Sequence, residues 1–460
     1  MASINGSRRV VQVGIVGCGE ITQVVHIPTL AFMSDYYQIT YLCDVSENAL
    51  SHCQKKVLGG MPKTTRSAEE LCASPDVEVV LIANSDAFHV VHSITALRYN
   101  KIVFVEKPMA LSLQDADSII EAEKKSSGKV MIGYMRRYAA AFTDAVKEVG
   151  GIEKILYAKV RDIVGPNSAF VGQSGTFPKA FSDYRAEDST KLSKTTSDIL
   201  EQALGELRIP ATPANSLMWR HLGSLGSHDL SAMREILELR SKLTLRSALF
   251  QFPGFAVSYE SGIDGVPRFD ASIEIFAEAK TIKICYDTPY VKGLPTTMEI
   301  KERMPDGSYR DSTIRKTYED PYTLEMRELY SLVTEGKEVK TTAVDAKKDL
   351  EIFGMIMKSG VHESRLGRKP SAASKQDEDF VSLGIVAILH NLQKANASEG
   401  AVETLNLETK PLGIRSLLVE TGFFRAELLN ANNTTYIDTK FDDYKPVTES
   451  LFATFKGAHQ

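Results

Sequence analysis

The sequence predicts an α/β protein with a doubly wound parallel sheet in residues 1–150, followed by an α+β domain with an open, mainly antiparallel sheet in residues 151–368. Two observations carry this prediction. Strand-like and helical segments alternate through the first 150 residues, which is the pattern of a parallel sheet. Strand candidates then follow one another with short turns between them, which is typical of an antiparallel sheet. We expect residues 369–460 to form a C-terminal helical extension of unknown role.

The composition is that of an ordinary globular protein. The 460 residues carry a net charge of −5, with 43% hydrophobic and 25% charged residues, which excludes a disordered or collagen-like chain. The slightly acidic balance gives no overall attraction to nucleic acid, and no apolar run reaches the roughly 18 residues that span a bilayer. The five cysteines form no CxxC pair, so we expect free thiols and a cytoplasmic location, with no nucleic-acid or membrane partner.

Five apolar runs predict the strands of the parallel sheet: residues 10–16, 38–43, 77–83, 102–105 and 130–133. The run at 77–83 is apolar throughout, as a strand buried on both faces should be. Helical segments alternate with these strands at residues 21–33, 46–57, 87–98 and 113–125. Pro28 must lie within the first of these helices or bend it.

The second half begins with a long strand at 155–164 and contains a helix at 225–239. Further strands are predicted at 243–252, 256–259, 271–277, 281–286, 298–304 and 313–318, with closing helices at 322–334 and 343–360. A linker at 365–377 and a helix at 378–395 follow. Residues 165–218 are polar, with one helical patch at 197–207, and the family resemblance given below implies that they are an insertion, because typical members are shorter here. Loops this long are often lids, and packing on a neighbouring subunit is the alternative.

A glycine-rich turn, Gly17-Cys18-Gly19, stands between the first strand and the first helix. Gly17 permits a tight turn, and Gly19 lets a pyrophosphate approach the main chain at the helix N-terminus. Thr22 occupies the third glycine position of the dinucleotide fingerprint, which is therefore incomplete. Asp44 ends the second strand, where a carboxylate binds ribose hydroxyls and repels a 2′-phosphate. The pattern favours NAD over NADP, and a turn without any ligand is the alternative.

The triplet Glu106-Lys107-Pro108 lies at the end of the predicted strand 102–105. Open parallel sheets bind ligands beyond the carboxyl ends of their strands. A lysine at this edge can hydrogen-bond a substrate hydroxyl and relay its proton. Taken alone, the triplet more often marks a surface Glu-Lys pair before a turn proline.

These segments together resemble one enzyme family. The stretches VGIVGCGEI, VFVEKPMALSLQDA, MIGYMRRYAAAF and TTAVDAKKDLEIFGMIMKSG are similar to those of the glucose–fructose oxidoreductase / inositol dehydrogenase (Gfo/Idh/MocA) family. The resemblance covers roughly residues 8–366, and Glu-Lys-Pro is its most specific mark. It implies a Rossmann domain, an open-sheet domain, and NAD(P)-dependent oxidation or reduction of sugars, polyols and related alcohols.

The resemblance also implies catalytic residues. Lys107 matches the family's catalytic lysine, and His228 matches a histidine that usually lies four residues after an aspartate. Ser224 occupies the aspartate position, so the usual carboxylate partner of the histidine is missing. A serine offers a hydrogen bond but no charge, which leaves His228 as general base, as substrate-binding group or as an ordinary helix-start histidine.

Binding residues are assigned on the same basis. The expected cofactor-binding set is Gly17, Cys18, Gly19, Glu20, Ile21, Asp44, Asn84, His89, Glu106 and Lys107. The expected substrate-binding set is Arg137, Trp219, Ser224 and His228. Arg136 and Arg137 could equally brace the domain junction. His89 and His92 lack a third ligand at suitable spacing, so we expect no metal.

The sequence therefore predicts an NAD(H)-dependent oxidoreductase, with NADP as the alternative cofactor. Its expected substrate is a secondary alcohol or ketone of a sugar, inositol, polyol or similar small molecule. A second hypothesis is a redox-neutral lyase or epimerase that retains NAD for transient oxidation. A third is a non-catalytic regulator that senses the nucleotide. The family resemblance also implies a homo-oligomer, either a dimer or a tetramer. The sequence does not identify the substrate or the direction of reaction.

Overall fold

The computed structural model describes residues 9–238, 244–246 and 249–366, and these residues contain two β-sheets. The predicted linker at 365–377, the helix at 378–395 and the whole extension 369–460 lie outside this range, apart from the first two linker residues. No helix in the described ranges has the length and hydropathy needed to cross a membrane.

The first sheet has six strands and is parallel throughout, as the sequence predicts. Its strands are β1 (Val11–Val16), β2 (Tyr37–Cys43), β3 (Lys63–Thr65), β4 (Val79–Ile82), β5 (Ile102–Glu106) and β6 (Val130–Gly133). The order β3-β2-β1-β4-β5-β6 reverses direction between β1 and β4. In an open sheet of this kind, ligands bind at that reversal, beyond the carboxyl ends of the strands.

Helices cover both faces of this sheet. They are α1 (Ile27–Phe32), α2 (Glu47–Lys56), α3 (Ala68–Ala73), α4 (His89–Arg98) and α5 (Leu113–Lys124). The predicted helix at 21–33 is divided into a π-helical turn, Thr22–His26, and α1, with Pro28 in the first turn of α1, where its missing N–H costs little. Strand β3 and helix α3 were not predicted, because each is short and strand β3 is polar and exposed.

The short helix α6 (Met135–Tyr138) and α7 (Ala140–Gly150) lead into the second sheet. Its strands are β7 (Ile155–Val164), β8 (Thr244–Arg246), β9 (Leu249–Phe252), β10 (Phe255–Ile263), β11 (Phe269–Ala277), β12 (Lys280–Tyr286), β13 (Thr297–Arg303) and β14 (Tyr309–Ile314). Within the described strands of this second sheet, only β7 and β10 pair in parallel, so the prediction of an open, mainly antiparallel sheet is confirmed. The predicted single strand 243–252 is wrong, because β8 and β9 pair antiparallel within it. The last strand lies at Tyr309–Ile314, earlier than the predicted 313–318.

The insertion is largely helical. It contains α8 (Asn167–Gly172), α9 (Ala186–Glu206) and α10 (Pro213–His221), and the predicted patch at 197–207 is the last part of α9. Most of α9 is exposed, and it buries Leu200, Ala203 and Leu204 near its end. The polar composition that suggested a loop therefore belongs to a helix with one narrow buried stripe.

Three further helices connect the two sheets. A π-helical turn, Leu222–Gly226, leads into α11 (Ser227–Glu238), and α12 (Pro321–Glu335) and α13 (Ala343–Leu366) follow β14. Side chains from one face of the first sheet, such as Val80, belong to the same apolar core as Ile284 in the second sheet. The carboxyl edge of the parallel sheet and the start of α11 are thereby held in one packed unit.

Candidate active site

The glycine-rich turn has the geometry that the sequence predicts. Gly17 has a φ of +103°, and a Cβ there would lie 2.6–2.7 Å from main-chain atoms of Ala83 and Asn84. No larger residue fits this position. A Cβ on Gly19 would meet nothing within 4 Å, so the main chain there is open to an approaching group.

Side chains hold the turn where a third glycine is absent. The Thr22 hydroxyl donates to the Gly17 carbonyl at 2.7 Å, and Gln23 Nε2 donates to the Cys18 carbonyl at 3.0 Å. Glu20 is exposed and accepts a hydrogen bond from Asn167 of the insertion at 2.7 Å. Ile21 is half-buried and packs against the apolar core. The incomplete fingerprint therefore still builds a defined turn.

Asp44 lies against this turn at the carboxyl end of β2. Its Oδ2 accepts the Cys18 N–H at 2.7 Å and its Oδ1 accepts the Ser46 N–H at 2.8 Å. Burial raises the pKa of Asp44 from its ordinary value, although the two main-chain N–H groups oppose the shift. The carboxylate is thus fixed beside the glycine turn, where the sequence expects a ribose.

Asn84 and His89 shape the next part of the edge. The Asn84 amide donates to His92 Nδ1 at 3.1 Å, while Asn84 Oδ1 is buried without a partner in the described structure. His89 bridges the Pro108 carbonyl at 2.8 Å and the Asn84 carbonyl at 3.2 Å, which ties the loops after β4 and β5 together. In residues 9–238, 244–246 and 249–366, no group of three or more His, Cys, Asp or Glu side chains could hold a metal ion.

These residues fit a dinucleotide. The open main chain at Gly19 leaves room for a pyrophosphate, Asp44 lies at the ribose position, and the unpartnered Asn84 Oδ1 is an acceptor at the reversal point of the sheet. Glu20, Ile21 and His89 lie along the same edge, His89 as a structural bridge.

Glu106 ends β5 and is buried against His26, a residue whose role the sequence reading missed. Their side chains meet at 2.9 Å between His26 Nε2 and Glu106 Oε1, and the His26 ring is enclosed by Phe104 and Tyr322. Burial alone would raise the pKa of Glu106, but the hydrogen bond from His26 and the favourable electrostatic contributions of His26, Lys107 and His89 together outweigh it, and the pKa is lowered. Glu106 is therefore a fixed, buried carboxylate.

Lys107 directly precedes Pro108, to which it is joined by a cis peptide bond, and its side chain reaches the turn before α11. Its ammonium donates to the main-chain carbonyl of Ser224 at 2.5 Å. Burial lowers the pKa of Lys107, and the nearby Glu106 carboxylate opposes this shift. The Ser224 hydroxyl turns away and donates to the His221 carbonyl at 3.3 Å.

His228 is half-buried near the same lysine. Its Nδ1 is buried and has no hydrogen-bond partner among the described residues. Burial, with Lys107 and Arg136 adding to it, holds the pKa of His228 well below its ordinary value. A neutral imidazole whose Nδ1 has no partner among the described residues therefore lies near Lys107 and Ser224.

A buried ion cluster lies beneath these groups. Arg136 pairs with Asp162 at 3.0 Å and with Asp229, and all three side chains are almost fully enclosed. The guanidinium also lies 5.0 Å from the centre of the Tyr286 ring. Arg136 therefore links α6, β7 and α11. Asp229, which follows His228 in the sequence, pairs with Arg136 and not with His228.

Two residues of the predicted substrate-binding set lie elsewhere. Arg137 is buried and paired with Glu235 at 2.5 Å and with Asp345, so it braces the junction, as the alternative interpretation held. Trp219 is buried, packs edge-on against Phe353 and donates from Nε1 to the Leu111 carbonyl at 2.9 Å. Sequence position alone could not separate these core contacts from cleft contacts.

A parallel sheet with an open glycine turn and a strand-end aspartate at its carboxyl edge is the arrangement of a dinucleotide-binding fold. Residues 11–134 match the family model described as "Oxidoreductase family, NAD-binding Rossmann fold". This segment of the chain is therefore similar to the Gfo/Idh/MocA oxidoreductases.

Individual proteins show the same similarity. The chain is 25% identical to myo-inositol 2-dehydrogenase of Thermotoga maritima over 77% of its own length and 97% of that enzyme. It is 37% identical to inositol 2-dehydrogenase of Salmonella typhimurium over 27% of its length, where the match spans 37% of that enzyme. A levoglucosan dehydrogenase solved with NADH and levoglucosan shares the fold, with a TM-score of 0.57, 14% identity, and coverage of 77% of this chain and 98% of that one.

Proposed function

We propose that this protein is an NAD(H)-dependent oxidoreductase that moves a hydride between nicotinamide and a secondary alcohol or ketone of a sugar, inositol, polyol or related small molecule. The inositol dehydrogenases among its relatives support this substrate class, since one of them aligns over 97% of its own length. The fold shared with a levoglucosan dehydrogenase agrees with a polyhydroxylated substrate.

The observation that carries the proposal is the contact between Lys107 and Ser224. The Lys107 ammonium reaches the carbonyl of Ser224, at 2.5 Å, from the carboxyl end of β5. A substrate hydroxyl that takes the place of this contact would bind the same ammonium. When bound, NAD supplies the hydride acceptor or donor at its nicotinamide ring.

Lys107 would then hold the proton that the alcohol loses. Burial is the largest cause of its lowered pKa, so Lys107 loses its proton more readily than an exposed lysine does. His228 would accept a hydrogen bond or a proton at its free Nδ1. Because Ser224 carries no charge, neither group has the carboxylate partner that the family usually provides at this position.

Asp44 supports NAD as the cofactor. Its carboxylate is held beside the glycine turn by the N–H groups of Cys18 and Ser46, where it would accept hydrogen bonds from ribose hydroxyls and repel a 2′-phosphate. A homo-oligomer, as a dimer or a tetramer, remains a prediction from the family resemblance.

A substrate screen tests the proposal. Purified protein with NAD, and separately with NADP, is presented with a panel of sugars, inositols, polyols and hydroxy acids, and formation of the reduced nicotinamide is followed by its absorbance. The Lys107→Ala variant is the control for site-dependent turnover. We expect NADH formation with at least one polyhydroxylated alcohol, lost in the variant.

Other outcomes separate the alternatives. Substrate conversion without net NADH release, detected by chromatography of the products, would replace the proposal with the redox-neutral reading. Nucleotide binding without conversion of any compound would favour the regulator. Absence of binding to either nucleotide would contradict every form of the proposal.

A further inference from the structure

The insertion runs along the edge where the dinucleotide would bind. Helix α9 is about 30 Å long and contacts that edge at successive points. Near its start, Asp188 pairs with Arg66, in the loop after β3, at 2.7 Å. Farther along, Lys191 lies 5.8 Å from the centre of the Phe88 ring, after β4. At its end, Glu206 accepts the N–H of Leu113, at the start of α5, at 2.9 Å.

The segment that precedes α9 is fastened beside Asp44. Asp183 accepts a hydrogen bond from the Ser46 hydroxyl at 2.5 Å and from the Asn48 N–H at 3.1 Å. Ser46 also donates its main-chain N–H to Asp44, so one serine joins the two carboxylates. The hydrogen bond from Ser46 lowers the pKa of Asp183, which keeps its charge in place.

Gln23 secures the same segment from the glycine-turn side. Its Nε2 donates to the Lys179 carbonyl at 3.1 Å, and its Oε1 accepts the Lys179 N–H at 2.9 Å. The side chain that holds the Cys18 carbonyl therefore also holds the insertion. The position of Asp183 is thus coupled to the turn that would carry the pyrophosphate.

Arg66 is the cation that this arrangement neutralises. Its guanidinium contacts the carbonyl of Val45, the residue directly after Asp44, and pairs with Asp188. An arginine near the end of the second strand is the group that accommodates a 2′-phosphate in NADP-binding folds. In this protein the arginine is already paired with Asp188 of the insertion.

We propose that Asp183 and Asp188 of the insertion are specificity determinants that select NAD(H) over NADP(H). The inference rests on the proposed function. Asp183 adds a second negative charge beside Asp44, and Asp188 prevents Arg66 from receiving a phosphate. A 2′-phosphate would bring further negative charge to a site that already holds two carboxylates and an arginine paired with Asp188.

Nucleotide binding tests the inference without any substrate. Dissociation constants for NADH and NADPH are measured by fluorescence titration for the wild type, Asp183→Asn, Asp188→Asn and the double variant Asp188→Asn/Arg66→Gln. Asparagine keeps an acceptor oxygen for the Ser46 hydroxyl or for Arg66 while removing the charge. Glu187→Gln is the matched control, because Glu187 is an exposed acid in the same turn that pairs with Arg185.

We expect Asp188→Asn to tighten NADPH binding about tenfold, the value of one charge-assisted hydrogen bond, with NADH affinity nearly unchanged. Asp183→Asn should shift the preference in the same direction, and Arg66→Gln should cancel the gain of Asp188→Asn. Unchanged nucleotide preference in both single variants, or an equal shift in Glu187→Gln, would overturn the inference while NADH binding still supports the proposed function. Failure of the wild type to bind either nucleotide would overturn both.

Discussion

The ammonium of Lys107 and the main-chain carbonyl of Ser224 are joined by a hydrogen bond of 2.5 Å, across 117 positions of the chain. Lys107 comes from the end of the parallel sheet, and Ser224 comes from the turn before α11. The contact places an ammonium group between the carboxyl edge of the parallel sheet and the second half of the molecule. The proposed proton transfer depends on this placement.

The two glycines of the turn should respond differently to alanine. Gly17→Ala should destabilise the fold, because its φ of +103° and the 2.6 Å approach of Asn84 N leave no room for a Cβ. Gly19→Ala should leave the melting temperature nearly unchanged, since nothing lies within 4 Å, yet weaken NADH binding by narrowing the approach to the main chain. Thermal melting and NADH titration on both variants measure this difference. Equal effects of the two substitutions on both properties would contradict it.

Restoring the family carboxylate should change the pH dependence. In Ser224→Asp, a negative charge beside Lys107 and His228 raises the pKa of both groups, because an opposite charge favours their protonated forms. Alcohol oxidation needs the deprotonated base, so the acidic limb of the kcat/KM profile should move to higher pH by about one unit. Ser224→Asn is the uncharged control. Superimposable profiles for the two variants would show that position 224 does not influence the titrating group.

Removal of the Arg136 side chain should lower the stability of the fold. Arg136→Met leaves Asp162 and Asp229 buried without their cation, which should lower the free energy of unfolding by about 3–5 kcal/mol. The control is Arg161→Met, since Arg161 also pairs with two carboxylates but on an exposed sheet face, and should cost at most about 1 kcal/mol. Urea unfolding compares them. A loss of equal size in both variants would contradict the proposed role of the buried cluster.

The lowered pKa of His92 should make folding stability decrease in mild acid. Burial, with lesser contributions from His89 and Lys191, lowers the pKa of His92 from 6.5 to about 4, and its Nδ1 accepts the Asn84 amide. The unfolded chain therefore takes up a proton first, so folding stability decreases as pH falls below 6.5 and this loss levels off below about 4. The greatest loss in the free energy of unfolding is about 3 kcal/mol, because each unit of the pKa difference corresponds to about 1.4 kcal/mol.

The check is urea unfolding of wild type and His92→Asn across that pH range. Asparagine keeps an acceptor for Asn84 but does not titrate, so the variant should show a shallower decline. Parallel declines in the two proteins would assign the acid sensitivity to other groups.

The sequence predicts those parts of the fold and site that depend on residues near one another in the chain. Gly17 and Asp44 flank predictable strands, and the alternation of strands and helices predicts the parallel sheet. It was insufficient where a side chain's partner is distant. Arg137 and Trp219 lie in segments that resemble family stretches or flank the site, yet the first pairs with Asp345 and the second packs on Phe353.

The insertion shows the same limit. Its polar composition hides a long helix, because α9 buries only a narrow stripe and leaves most of its surface in water. The contacts of Asp183 with Ser46 and of Asp188 with Arg66 span more than a hundred residues, so no periodicity along the chain could reveal them. The role of His26 beneath Glu106 was missed for the same reason.

The most direct test of the central claim is the turnover of Lys107→Met on a substrate that the wild type converts, with NADH affinity measured on the same samples. We predict that turnover falls by about 10²–10⁴-fold, the usual contribution of a general acid–base group, while NADH affinity changes little. Lys147→Met, at an exposed lysine, is the control and should keep full activity. Wild-type turnover in Lys107→Met would contradict the assignment of Lys107 as the proton-carrying residue.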